Sequence, residues 1–213
     1  GIASPTHPIP TNSYKSGYMQ NGSVVNGRSF FGYKLQIGYD YGGPMFFAHY
    51  SFLGLDPRNL SDQYVNYWEQ HKNHTLINRA YCIANPRNYI GYGENSWGLT
   101  ASDNQSGYNA HSPTNDLGVI TPTAALSSFP YTPEESMEAL KYFYYILGDK
   151  LWGTYGFYDA FNPTVGWWAK SYISIDQGPI IVMIENHRTQ LVWNMFMKNP
   201  EIQDALTKMG FSY

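Results

Sequence analysis

Residues 132–148 read TPEESMEALKYFYYILG, and this stretch decides the fold class. Thr132 offers a hydroxyl as N-cap, Pro133 takes the first helical position, Glu135 completes a capping box and Gly148 supplies the stop. Between these signals Met137, Leu140, Phe143, Tyr144 and Leu147 recur at intervals of three and four, which predicts a helix with one apolar stripe. A helix of that kind has to be covered by other helices.

Working outward, the stretch from Gln177 to Lys198 is apolar around most of its first turns and predicts a central helix. Asn199-Pro200-Glu201 opens a last helix that stops at Gly210. Upstream, Ser61 is the expected N-cap of a long helix running to about Ala84, where Pro86 forbids much continuation. Pro44 leads a short buried helix through Met45, Phe46, Phe47, His49, Tyr50 and Leu53. Asn21-Gly22 and Asn26-Gly27 are turn signals, so Ser23 to Val25 and Arg28 to Leu35 predict a small β-hairpin near the N-terminus. The class is therefore all-α, about five helices with long loops, in a single domain over residues 1–213 or part of one.

The chain has 213 residues and a formal net charge of -3, which gives nucleic acid and anionic membranes no electrostatic purchase. Charged residues make up only 14%, against roughly 25% in a typical soluble domain. Aromatics reach 17%, with 20 Tyr and 6 Trp. That balance suits either a cleft that stacks on sugar faces or a Tyr-rich core. The single Cys82 forms no internal disulfide, and His71 and His74 lack a carboxylate partner, so neither metal nor cofactor is expected. There is no G-x-S-x-G and no phosphate-cradling loop. No stretch approaches the roughly 20 apolar residues of a membrane span, the nearest being Ile180 to Ile184. Gly1 opens the chain without Met or a signal-peptide pattern, as expected of a processed, tagged or truncated product.

Candidate chemistry lies in the Gly- and aromatic-rich loops 85–131 and 152–168, since loops this long are usually functional. Glu94, beside Trp97 and far from any Lys, is either an acid catalyst whose proton is held by lost hydration or a residue that shapes the cleft. Trp97, between a polar Asn-Ser pair and Gly98, is expected to be an exposed sugar platform. Asp103 reads as a turn or capping residue. Asp159 sits among aromatics with no compensating cation and is either a sugar-binding acid or the start of a turn. Asp176 precedes the central helix as N-cap or as general base, two roles a carboxylate at a helix N-terminus can share. Glu185 reads as an acid bonded to an Arg. Asp40, Tyr41, Tyr92, Trp152 and Tyr155 are further sugar-binding candidates; His49 is either another or a satisfied core histidine. The loops holding Glu94, Asp159 and Asp176 are expected to converge on one cleft.

Four runs carry a resemblance: YDYGGPMFFAHYS over 39–51, ENSWGLTASD over 94–103, YGFYDAFN over 155–162 and IDQGP over 175–179. They resemble the glycoamylase-like family, whose members include endo-beta-1,2-glucanases. The resemblance implies an alpha/alpha toroid of the six-hairpin barrel type, of which this chain is the C-terminal half. It also implies inverting hydrolysis of beta-1,2-glucan by paired carboxylates, here Asp176 and Glu94, and a periplasmic or secreted location. An upstream segment carrying a further acid is the implied partner that completes the toroid. A non-catalytic glycan-binding or structural module is the alternative function, and a polysaccharide lyase with a Tyr/His pair a third.

Overall fold

The computed structural model describes residues 1–213 throughout. A hairpin of β1 (Ser29–Phe30) and β2 (Tyr33–Lys34) precedes α1 (Tyr67–Ala84), and a second hairpin, β3 (Ala101–Asn104) with β4 (Gly107–Ala110), precedes α2 (Pro122–Leu126) and α3 (Pro133–Lys141). After α4 (Gly148–Leu151) come the hairpins β5 (Trp152–Gly153) with β6 (Gly156–Phe157) and β7 (Phe161–Asn162) with β8 (Trp167–Trp168). The chain closes with α5 (Ser174–Thr189), α6 (Leu191–Met197) and α7 (Pro200–Met209). The molecule is helix-rich, in line with the all-α expectation, and carries four two-stranded antiparallel hairpins where one was expected.

Local chemistry explains the boundaries. Helix α7 follows the expected signals: the Asn199 side chain accepts from Glu201 N–H, and left-handed Gly210 ends it. Helix α1 starts later than expected because Ser61 pairs with Ser212, leaving Asn66 to cap by accepting from Glu69 N–H. The helix expected to be central is interrupted at Gln190, whose φ of 62° separates α5 from α6, and it is not buried all round: α5 buries only Asp176, Pro179, Met183 and Asn186, and Ile181 is exposed. Between Pro44 and Gly54 the helix is two short 3-10 turns, Met45–Ala48 and Tyr50–Leu53. Helix α3 forms as predicted but passes into a π turn at Tyr142–Ile146, and its Thr132 cap bond is not made. The buried side of α3 is Ser136 and Ala139 with Phe143, while Met137 and Tyr144 are exposed. Small residues face inward there because α3 packs closely on α2.

Long loops bury backbone, and buried N–H and C=O groups must be paired. Uncharged amides on the helices do this. Gln70 of α1 accepts from Gln36 and Ile37 N–H and donates to Ile37 C=O. Asn78 brackets Leu99 in the same way, accepting from its N–H and donating to its C=O. Asn186 of α5 donates to Leu53 C=O and accepts from Trp193 N–H. The main apolar cluster, with Trp97, Leu99, Ile120, Phe143 and Phe161, lies under the loops between α1 and α5.

Candidate active site

Three aspartates far apart in sequence meet at the top of α5. Asp176 occupies the third position of that helix and its side chain is fully buried. Its N–H bonds Ile173 C=O, and Ile173 rather than Asp176 is the N-cap residue, so the carboxylate is released from capping. Tyr50, from the second 3-10 turn, donates to Asp176 Oδ1 at 3.1 Å, and Tyr108 of β4 makes a longer contact to Oδ2 at 3.4 Å. Tyr108 stands directly across the hairpin from Asp103, so β3–β4 register brings an acid and a phenol to the same face.

Asp159 meets Asp176 carboxyl to carboxyl. It is fully buried: Oδ2 accepts from Asp103 N–H at 2.8 Å, and Oδ1 has no donor. Its own N–H holds Ser171 C=O, and Ser171 Oγ donates to Asp103 Oδ2. Two carboxyls can bond only when one is protonated. Burial, and then the neighbouring Asp176 charge, push Asp159 up to about 7, with the Asp103 N–H opposing. Asp176 is also raised by burial, but the bonds from Tyr50, Asp159 and Tyr108 work against that rise. The two carboxyls therefore share a proton at mildly acid pH, and Asp159 is the more strongly raised of the pair. Burial beside these acids raises both phenols, Tyr50 and Tyr108, so they remain donors.

The loops expected to converge do so through Asp103, Asp159 and Asp176. Glu94 is a correction: its side chain is 75% exposed and pairs with Arg79 at 3.4 Å, so the desolvation suited to an acid catalyst is absent. Trp97 is another, being fully buried in the main cluster rather than an exposed platform. Gly98, at φ 129° and against Ala124, turns the chain so that the indole folds inward. Asp159, one of the sugar-binding candidates, accepts from Asp103 N–H and faces Asp176.

The other sugar-binding candidates divide. Asp40 is spent on Arg28 and Asn26. Tyr41 packs on Phe30, and Tyr92 donates to buried Asp116 together with Tyr81. His49 is a core histidine bonded to Ser128 Oγ. Tyr155 and Trp152 do expose their rings, at opposite ends of the β5–β6 hairpin that leads into Tyr158 and Asp159. Sequence reasoning missed Tyr50 and Tyr108, whose only signal was the surplus of tyrosine, and gave Asp103 only a turn role. No group of histidines, cysteines and acids that could hold a metal ion occurs.

The model of the Glycoamylase family, described as "Putative glucoamylase", matches residues 1–200. The chain is 48% identical over 196 residues to a protein of Parabacteroides distasonis named exo beta-1,2-glucooligosaccharide sophorohydrolase (non-reducing end), covering 91% of this chain and 27% of that one. A crystal structure from Bacteroides uniformis bearing the same glucoamylase description superposes with TM-score 0.96 at 60% identity, over 99% of this chain and 52% of that one. An endo-beta-1,2-glucanase from Chitinophaga pinensis, solved with sophorotriose and glucose, gives TM-score 0.96 at 51% identity over the same shares. The chain thus spans about half the length of these solved structures and about a quarter of the curated relative.

Proposed function

The chain belongs to the Glycoamylase family, and from that membership we propose that it forms part of a glycoside hydrolase acting on beta-1,2-glucan. The observation that carries the reading is the Asp176–Asp159 pair beneath the Tyr50 and Tyr108 hydroxyls. An ionised carboxylate held by two phenols and a protonated neighbour is suited to take a proton from water as it attacks the anomeric carbon, the base role of an inverting enzyme. Glu94 is bonded away to Arg79, so we assign the opposing acid to an upstream segment that completes the site. The same segment would close an alpha/alpha toroid. Support for this comes from apolar side chains left exposed on helical elements, Ile181 of α5 at 74%, Met195 of α6 at 68% and Tyr145 of the π turn at 76%. Such an enzyme would meet glucan in the periplasm or outside the cell.

The test is Asp176→Asn, assayed for reducing-end release from beta-1,2-glucan in a polypeptide that includes the upstream helices. Asn keeps the size and accepts from Tyr50, so stability should move by no more than about 0.5 kcal/mol. Turnover should fall about 100-fold or more. Full turnover would reject the base role, and glucan binding without any release by the unsubstituted protein would favour the glycan-binding module.

A further inference from the structure

Both acids of the candidate pair are closed off from solvent, Asp159 and Asp176 each at 0% exposure. A further segment laid on this face can only cover them more. A general base has to come within about 3.2 Å of the group whose proton it removes, or reach it through one intermediary. Water does not touch Asp176, so an intermediary is required. Two hydroxyls cover this carboxylate, and they are held differently. Tyr50 donates to Oδ1 at 3.1 Å, with its ring stacked on Phe46 at 5.2 Å and 24°, on a turn tied to α5 by Asn186. Tyr108 lies 3.5 Å from Oδ1 and 3.4 Å from Oδ2, beyond the usual O–H···O range of about 2.5–3.0 Å. It straddles the carboxylate and is committed to neither oxygen.

The hairpin explains the difference. Strand β3 is largely buried, whereas all four residues of β4 are exposed, Tyr108 itself at 51%. Asp103, opposite Tyr108, is anchored by Ser171 Oγ and, through its N–H, by Asp159, so the register sets where the Tyr108 side chain leaves the strand. Tyr108 therefore reaches from solvent to the buried acid. Burial, and then the Asp176 charge, raise it above the ordinary phenol value, so it stays protonated and does not serve as a phenolate. A protonated hydroxyl can still donate one proton while it accepts another.

We propose that Tyr108 is a catalytic relay: the attacking water gives a proton to Tyr108 Oη while the Tyr108 O–H proton passes to Asp176, so that a buried base acts without touching water. One water O–H bond and the Tyr108 O–H bond break, and a new Tyr108 O–H bond and an Asp176 O–H bond form. The water oxygen bonds the anomeric carbon, and the glycosidic bond breaks with its electron pair going to the leaving oxygen, which takes a proton from the carboxylic acid assigned to the upstream segment. Tyr108 ends as it began. This rests on the glucan-hydrolase reading and adds a residue to it. The test is Tyr108→Phe in a polypeptide that includes the upstream helices, with reducing-end release from beta-1,2-glucan followed across pH and in mixtures of light and heavy water. The variant keeps the ring and loses only a long contact, so its melting temperature should stay within about 2 °C. On the pH plateau kcat should fall about 100-fold, with KM within about threefold. In the unsubstituted enzyme kcat/KM should curve with deuterium fraction, because two protons move together; this needs no substitution and decides whether or not the variant folds well. A phenol that only steadies Asp176 behaves otherwise: its loss raises Asp176, so the acid limb of kcat/KM moves upward while the plateau rate stays. That result, a raised KM at unchanged kcat, or a straight-line deuterium dependence would overturn the relay. If Tyr108→Phe keeps its turnover while Asp176→Asn loses it, the relay fails and the hydrolase reading stands. If the unsubstituted polypeptide releases no sugar, both fail.

Discussion

Asp159 decides the charge of the candidate site. Its orphaned Oδ1 and its N–H bond from Asp103 leave one way to satisfy it, a proton shared toward Asp176. Asp159→Asn reproduces that state, because the amide oxygen can accept from Asp103 while the amide nitrogen donates to Asp176. It should keep kcat within about tenfold, whereas Asp159→Ala should lose about 100-fold. As pH rises through about 7 the native Asp159 ionises beside Asp176, so kcat/KM should fall on that limb, and the Asn variant should lose the limb. The sign for stability follows. A raised carboxyl contributes fully below its ordinary value near 4 and loses that contribution as pH rises through about 7. A pH–rate profile of the two variants checks the first expectation; an Asn variant as slow as Ala would refute it. Asp159 and Asp176 were legible as acids among Gly and aromatics without cations. Asp103, Tyr50 and Tyr108 were not, because their meeting depends on β3–β4 register and on a 3-10 turn. Trp97 misled for a related reason: its polar neighbours report what lies beside it in the chain, not how deep the indole goes.

At the scale of elements, capping chemistry was readable where it is local, as in α7, and unreadable where a distant strand-like pair, Ser61 with Ser212, took the expected cap away from α1. The amide clamps were equally hidden, since Gln70, Asn78 and Asn186 looked like ordinary polar positions until the loops they bind were in place. The loop before the first 3-10 turn is set against α1 just as closely. Gly42 has φ 93°, and a Cβ there would meet the His74 ring at 2.1 Å. Gly42→Ala combines backbone strain with a clash against a ring fixed on Gly43 C=O, so it should cost upwards of about 2 kcal/mol. Urea unfolding measures this; a change within about 0.5 kcal/mol would mean that α1 and the loop can part at little cost.

Across the whole molecule, His49, His71 and His74 lie close enough to disfavour one another's charge, and none has an acid partner. Burial lowers His49 to about 3 and His74 to about 4, with His71 well below its ordinary value. Their contribution to stability is complete above about 6.5 and is lost as pH falls toward those lower values, at up to about 1.4 kcal/mol per unit of lowering for each ring. Burial lowers His111 to about 4 as well, while Asp159 and Asp176 work in the opposite sense over the same range, so four rings against two carboxyls should still give a urea midpoint that drops between about pH 6.5 and pH 4. A flat midpoint over that range would show that the rings are not buried neutral together. The 3-10 turn Tyr50–Leu53 has a consequence of another kind. It is fastened to α5 twice, by Tyr50 to Asp176 near the start of the helix and by Leu53 to Asn186 near its end. A beam pinned at two points cannot swivel about either, so the direction in which the phenol faces the carboxylate belongs to the mounting and not to a free torsion. Little rotational freedom is then left to surrender when a proton moves there.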